Sequence, residues 1–386
     1  MTSHALTRLV LTDFRNYASL KVQTDPSPVV LTGPNGSGKT NLLEAISFLS
    51  PGRGLRRATL ADPARTEGAG GWAVSATFQD DGLERTLGTG LVAAPHSSPD
   101  SREKRTVRLD GETQSGTSSL AGLIGMIWLT PQMDRLFQEG ASGRRRFLDR
   151  LAFGLDPSHA KRTAHFEKFM RERNKLLKAG RFDPHWLGSL EQQMAEQAIA
   201  IIAARLETVR HLGVAMDQDT AATQTGAFPK ADLTLIGELE EQINSLPALA
   251  AEDLYREILA KNRNIDAKAG STTVGPHRCD LDVIHREKGQ KARLCSTGEQ
   301  KALLISIILS NTRLQTGLRG KAPVLLLDEI TAHLDQERRL ALFDEITAMK
   351  VQAWMTGTDY LLFSELGNRA QFFTVQAGTV TPADGN

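Results

Sequence analysis

The sequence predicts an α/β fold: a head with a mixed β-sheet flanked by helices, and a helical lobe inserted into it. Three observations carry this. The turn Gly33-Pro34-Asn35-Gly36-Ser37-Gly38-Lys39-Thr40 follows the apolar run Val29-Val30-Leu31 and enters a helix-like segment, Asn41-Leu42-Leu43-Glu44-Ala45-Ile46. Far down the chain a second apolar run, Val324-Leu325-Leu326-Leu327, ends on Asp328-Glu329. Between them, residues 142–212 carry helical rather than strand periodicity. Two halves of one nucleotide site so far apart require a head built from both chain ends. The expected division is 1–129 and 270–386 for the head and 130–269 for the lobe.

Residues 6–14 alternate apolar and polar side chains, the period of a half-buried strand, and 20–23 read as its hairpin partner. Asp25-Pro26-Ser27-Pro28 turns the chain into the strand before the glycine-rich turn. Trp72, Val74, Ala76 and Phe78 alternate again, Asp80-Asp81-Gly82 turns, and Leu83, Arg85 and Leu87 return. Residues 93–104, rich in proline, serine and charge, read as a loop. Strands are expected at 106–109 and 124–129. Helix starts are signalled at Ser142, Asp156-Pro157 and Asp183-Pro184. Leu187, Leu190, Met194, Ile201 and Val209 lie close to one helical face, a packing stripe too short for a long coiled coil. A further helix is expected at 251–262. Strand character returns at 279–285 and 351–355, with helices at 298–314 and 336–349.

Composition narrows the function classes. With 386 residues, 40% apolar and 24% charged, the chain suits a soluble protein of two domains. No run approaches the roughly 18 apolar residues of a membrane span, and residues 1–12 lack a signal core. Cys279 and Cys295 cannot form a disulfide framework and read as reduced thiols, so a cytoplasmic protein is expected. A net charge of +1 means that any nucleic-acid surface must come from local clusters.

Strand, glycine turn and helix in that order are what a phosphate cradle requires. Glycines let successive N–H groups turn toward phosphate oxygens, and the helix N-terminus adds partial positive charge. Gly33 to Thr40 is thus the expected ATP cradle, with Lys39 on the β- and γ-phosphates and the Thr40 hydroxyl on Mg²⁺. An incidental glycine turn with a lysine would lack both flanks. Asp328, closing an apolar strand, is assigned to the metal through water, and Glu329 to the general base. Alone this pair would read as a solvated acidic turn.

In Leu294-Cys295-Ser296-Thr297-Gly298-Glu299-Gln300-Lys301, Ser296 and Glu299 read as a capping box at a helix start. Ser296, Gly298 and Gln300 also match the signature motif of ABC-type ATPases. Thr331-Ala332-His333-Leu334-Asp335 matches their D-loop. The resemblance implies that the signature of one subunit caps the nucleotide held by the P-loop of another, with Asp335 beside it. An ATP-dependent homodimer follows.

Within that superfamily the chain is similar to the RecF family of bacterial recombination mediators. The residues that carry this are Leu11-Thr12-Asp13-Phe14-Arg15-Asn16-Tyr17, the segment from Gly33 to Ile46, and Arg144-Arg145-Arg146-Phe147-Leu148-Asp149-Arg150. Gly275-Pro276-His277-Arg278 with Asp280-Leu281, and Leu326 through Asp335, extend the match over nearly the whole chain. The chain departs from the pattern at Thr297 and Glu299. Met355-Thr356-Gly357-Thr358-Asp359 stands where transporters place a switch histidine, with Thr356 or Thr358 the candidate γ-phosphate sensor. Gln132 is the candidate Q-loop residue. The resemblance implies a weak, DNA-stimulated ATPase of recombinational repair, replication and the SOS response. Its ATP-bound dimer would hold gapped or single-strand/double-strand junction DNA and help load recombinase with a RecR-like mediator, and hydrolysis would release it.

Eight basic residues (Lys161, Arg162, Lys168, Arg171, Arg173, Lys175, Lys178 and Arg181) stand against Glu167 and Glu172 in one stretch. Arg144 to Arg146, and Arg53, Arg56 and Arg57, add further clusters. Each cluster alone reads equally as a solvated face. Together, in a chain with no membrane span, they favour sequence-independent contact with DNA phosphates. The alternatives are a transporter-type ABC subunit, which needs a membrane partner, and an SMC-like organiser, which needs long coiled-coil arms.

Overall fold

The computed structural model describes residues 5–80, 82–92, 105–120, 122–180, 183–218 and 227–383. The expected loop at 93–104 and Arg181 lie outside them. In chain order the elements are β1 (Leu6–Phe14), β2 (Tyr17–Gln23), β3 (Val29–Thr32), α1 (Lys39–Ser47), β4 (Trp72–Asp80), β5 (Leu83–Leu91), β6 (Arg105–Leu109), β7 (Glu112–Thr113) and β8 (Met126–Leu129). There follow α2 (Ala141–Leu155), α3 (His159–Ala179), α4 (Pro184–Gln218), β9 (Ala231–Ile236), α5 (Glu238–Ile243), α6 (Ala248–Lys261), α7 (Arg263–Ala269), β10 (Asp280–His285) and β11 (Gln290–Lys291). The chain closes with α8 (Thr297–Arg319), β12 (Val324–Leu327), α9 (Gln336–Ala348), β13 (Ala353–Gly357), β14 (Gln371–Gln376) and β15 (Thr379–Pro382).

Two compact units result. One comprises Met1–Asp134, Asp219–Phe228 and Thr297–Asn386, the other Arg135–Gln218 and Pro229–Ser296. The first unit holds two six-stranded sheets, in the orders β2-β1-β4-β5-β6-β7 and β15-β14-β3-β13-β12-β8. The first sheet is antiparallel, and its period-2 alternation buries Leu9, Leu11, Val74, Ala76, Phe78 and Val107. In the second, β8, β12, β13, β3 and β14 run parallel. Strands covered on both faces read as continuous apolar runs, as β3, β8, β12 and β13 do. Phe14, Phe48 and Trp72 form an aromatic cluster at centroid separations of 4.9 to 6.0 Å, in the same core as Leu42, Ile46 and Trp354. The buried amide of Gln352 accepts from Leu6 N–H at 2.9 Å and donates to Leu6 and Asp25 carbonyls, stitching the two chain ends together.

The second unit corrects two expectations. It is not all helical: β10 pairs with β9 and β11 in an antiparallel sheet. The expected boundary near Gly270 therefore moves. Residues 270–296, assigned to the head, group with the second unit because β10 finds its partner in β9, Leu281 opposite Leu235.

In the arginine-rich segment of α2, half-buried Arg144 and Arg145 serve as scaffold, while Arg146 is exposed. Arg144 makes a two-pronged contact with Asp280 at 2.8 and 2.7 Å, and Arg145 donates to the Cys279 carbonyl at 2.5 Å. Asp149 holds Arg205 at 2.9 and 3.0 Å, and Arg205 reaches the Pro276 carbonyl at 2.5 Å. His277 meets the Thr272 carbonyl at 2.9 Å, and burial pushes its imidazole down to about 4, so it stays neutral. Arg173 is fully buried among Glu191, Asp266, Thr272 and the Leu259 carbonyl. A desolvated guanidinium persists only with such full pairing. The basic run on α3 thus loses Arg173 from its surface. Arg162 pairs with Asp156, Lys168 lies 4.0 Å from Glu172, and Arg171 lies 3.6 Å from Glu167. What remains is a helix face on which half of the described basic residues are paired, while Lys161, Lys175 and Lys178 stay exposed without a carboxylate partner among the described residues.

Candidate nucleotide site

The site lies in the first unit, at the carboxyl ends of the parallel strands, where open α/β sheets place ligands. β13 sits between β3 and β12, with Leu31 opposite Thr356 and Leu327 opposite Met355. That order brings the loop after β3 beside the loop after β12.

The Gly33–Thr40 turn has backbone that only glycine tolerates. Gly33 and Gly38 adopt φ of +146° and +114°; a Cβ on Gly33 would stand 2.2 Å from the Val375 carbonyl oxygen, and one on Gly38 2.5 Å from Asn16 Nδ2. No side chain caps the start of α1, so its first N–H groups are open to an anion. Lys39, only 6% exposed, donates from Nζ to the Gly33 and Pro34 carbonyls at 2.7 and 2.9 Å. Burial lowers its pKa, while the charges of Glu329 and Asp328 oppose the shift. The ammonium is thereby held folded over the loop. Asn35 and Gly36 are exposed at the crest, and Ser37 is buried.

Thr40 Oγ1 donates to Asp328 Oδ1 at 2.9 Å, joining residues 288 apart in sequence. Thr356 Oγ1 donates to the same oxygen at 2.8 Å and accepts from the Glu329 N–H at 2.8 Å. Glu329 itself is exposed and adopts φ of +48°, an uncommon conformation for a side chain of its size. Strain of this kind concentrates at working sites. Of the two threonines proposed for the switch position, Thr356 is buried at the centre of this network and Thr358 is exposed.

A second layer holds the loop, and sequence reasoning assigned it no role. At the β1–β2 turn, Asn16 Nδ2 donates to the Ser37 carbonyl at 3.2 Å and Tyr17 Oη to the Gly38 carbonyl at 3.0 Å. Asn16 Oδ1 accepts from Asn41 at 2.7 Å. Arg15 clamps the fully buried Glu44 of α1 at 2.9 and 2.8 Å, and Arg56 joins at 3.2 Å. Arg15 takes a left-handed φ of +54° to do so. The signal was visible as polar residues crowded into a two-residue hairpin turn, but their targets were not.

The remaining predicted residues scatter. Asp335 caps α9, accepting from Arg338 N–H at 2.8 Å. Gln132 is exposed on the one-turn 3₁₀ helix Pro131–Arg135. Ser296 is exposed immediately before α8, Gly298 half-buried and Gln300 buried within its first turn. Lys301, next on that helix and 3% exposed, donates to the Ala332 carbonyl at 2.6 Å and the Glu329 carbonyl at 3.4 Å, with Asp134 at 3.8 Å. A buried lysine thus fixes the backbone around Glu329 and the D-loop.

Thr356→Val keeps the shape but removes the hydroxyl, leaving the Glu329 N–H unsatisfied at a cost of about 1–3 kcal/mol. ATP affinity should stay within about threefold and hydrolysis fall about tenfold or more. Titration with nucleotide beside a phosphate-release assay checks it; unaltered hydrolysis would show that Glu329 needs no such support.

The RecF/RecN/SMC N-terminal domain family matches residues 5–380. The DNA replication and repair protein RecF of Mesorhizobium japonicum is 49% identical over 379 residues, covering 98% of each chain. The protein of the same name from Allorhizobium ampelinum is 50% identical over 373 residues, 97% of each. Among solved structures, a recombination mediator protein RecF with ATP in the RecFOR pathway superposes with a TM-score of 0.83 at 22% identity, covering 99% of this chain and 98% of that one. An Smc head domain from Pyrococcus furiosus gives 0.55 at 15% identity over 99% and 96%, a likeness of fold alone.

Proposed function

Since the chain belongs to the RecF family of RecF/RecN/SMC-type ATPases, we propose that it is an ATP-switched DNA-binding protein of recombinational repair and replication. The observation that carries this reading is the Thr40–Asp328 contact, which unites the phosphate loop and the acidic strand end in one site.

Lys39 and the open N–H groups of α1 bind the phosphates. Thr40 and Asp328 offer a hydroxyl and a carboxylate, hard oxygen donors that suit Mg²⁺. Among the described residues no group of three His, Cys, Asp or Glu side chains gathers, so phosphate and water would complete the ion's shell. When bound, the ion neutralises charge on the phosphates. Glu329, exposed at the strand end, accepts the proton of the attacking water, and Thr356 holds its backbone in place.

Ser296 and Gly298 serve a second copy's nucleotide, with the proposed Gln300 buried behind them and so unable to touch it directly, and with Asp335 and Gln132 at its margin, so ATP drives homodimerisation. The dimer holds gapped or junction DNA without reading sequence and works in the cytoplasm with a RecR-like mediator. Turnover is weak and stimulated by DNA, and hydrolysis releases the complex. Among the described residues no helix is long and apolar enough to cross a membrane. No observation favours the transporter or chromosome-organiser readings.

Sedimentation with saturating ATP tests this. Ser296→Arg drives a long cation into the contact across copies and should abolish dimerisation while leaving ATP affinity intact. Mixing it with Lys39→Ala leaves one composite site free of both changes, so part of the dimer should return. A Ser296→Arg protein that dimerises like wild type would sink the sandwich mechanism.

A further inference from the structure

Among the described residues, the antiparallel sheet of the first unit buries one face in the core and leaves the other open. Its registers decide which side chains share the open face. Lys21, Val10, Ser75, Gly88 and Arg108 form one cross-strand row. Arg8, opposite Thr77, stands in the next row of the same face. A cavity of about 650 Å³ opens over the middle strands, lined among others by Thr12, Ser75, Thr86, Gly88, Thr106 and Arg108.

Charge on this face is predominantly basic. Arg8, Lys21 and Arg108 are exposed and, among the described residues, have no carboxylate partner. Asp13 at the cavity's edge is engaged by Arg65 at 3.0 Å, Asp110 beside Thr86 is engaged by Arg85 at 2.5 Å, and Glu84 stands at a far corner, opposite Gln79. Gly88 is a further sign. A Cβ there would meet only Ser75 Oγ, at 3.9 Å, so packing does not require glycine. Mid-strand glycine weakens a strand and marks a bulge, a tight bend or the close approach of a ligand or another backbone; the register of β4 on β5 runs unbroken through Gly88, so no bulge accounts for it. Lys21 and Arg108 stand four strands apart, about 19 Å at 4.8 Å per strand, so their long side chains can bracket phosphates on both sides of a duplex groove about 12 Å wide.

We propose that this open sheet face is a docking surface for the sugar–phosphate backbone of duplex DNA. Arg8, Lys21 and Arg108 pair with phosphates, and the threonine and serine hydroxyls between them donate hydrogen bonds. The contact carries no base reading and so is independent of sequence. A second copy is a poorer occupant, because a two-fold contact would set the same three cations against themselves. The assignment rests on the DNA-binding reading above and adds the place where the duplex lies.

The test measures binding of a fluorescent 30-base-pair duplex, with ATP, over a salt series. The Arg8→Ala, Lys21→Ala, Arg108→Ala triple variant should lose about tenfold or more in affinity, and its log–log salt slope should shrink by about 2.7, three phosphates at about 0.9 each. ATP affinity should be unchanged, since none of the three touches the phosphate loop. Wild-type affinity and slope in the triple variant would overturn the assignment while leaving the DNA-binding reading standing. Failure of the wild-type protein to bind any duplex would overturn both. A variant that keeps DNA affinity but loses ATP-driven dimerisation would make the face a contact between copies. Should the triple variant misfold, Gly88→Gln fills the cavity with neutral bulk: weakened DNA binding with normal ATP binding supports the surface, and unchanged DNA binding overturns it.

Discussion

Glu329→Gln is expected to bind ATP with wild-type affinity and hydrolyse it about 10²- to 10⁴-fold more slowly, the range associated with loss of a general base. The substitution keeps the side chain's shape and one acceptor oxygen. The backbone that positions it is untouched, because its hydrogen bond to Thr356 comes from the main chain. What is lost is the solvent-facing carboxylate of the Asp328-Glu329 pair, since Asp328 is buried and already accepts from Thr40 and Thr356. The ATP-bound dimer should therefore outlive that of the wild type, and complexes on DNA should dissociate slowly. Single-turnover hydrolysis beside equilibrium nucleotide titration separates chemistry from binding. Wild-type turnover would mean that another group positions the water.

Lys39→Ala should lose about 10- to 100-fold in ATP affinity, the worth of a charged hydrogen bond of roughly 1.5–3 kcal/mol. The buried Lys301 cannot take its place, because it is tied to the Ala332 and Glu329 carbonyls. In the folded chain the Lys39 ammonium satisfies the Gly33 and Pro34 carbonyls, so its removal also frees two acceptors and should lower Tm slightly. The variant should stay folded, since α1 packs through Leu42, Leu43 and Ile46, and remain monomeric with ATP. Calorimetric titration and sedimentation read both effects. Unchanged affinity would sink the assignment of the loop.

Much of the first unit was legible in the sequence because its signals are local. Alternation at residues 6–14 and 72–78 marked β1 and β4, and the glycines at 33 and 38 marked positions where positive φ is required. Apolar runs ending on a glycine turn or on Asp328 marked the ends of parallel strands. The second unit was legible only as helices. β9 escaped notice because a short strand declares itself through a partner, and its partner β10 lies beyond three helices. Arg173 looked like surface charge because burial of a guanidinium depends on Glu191 and Asp266, the latter 93 residues away.

By itself the sequence pointed to the class of ligand and to the residues proposed to touch it. A glycine-rich turn before a helix admits phosphate for steric and electrostatic reasons contained within eight residues. Only the tertiary structure decided how that site is held. Strand order places β13 between β3 and β12, which makes Thr356 the bridge from Asp328 to Glu329, while Arg15, Asn16 and Tyr17 brace the loop from a hairpin turn. Strand order follows from which apolar faces cover one another, and hydrogen-bond partners follow from strand order. Neither is a property of any short stretch of chain.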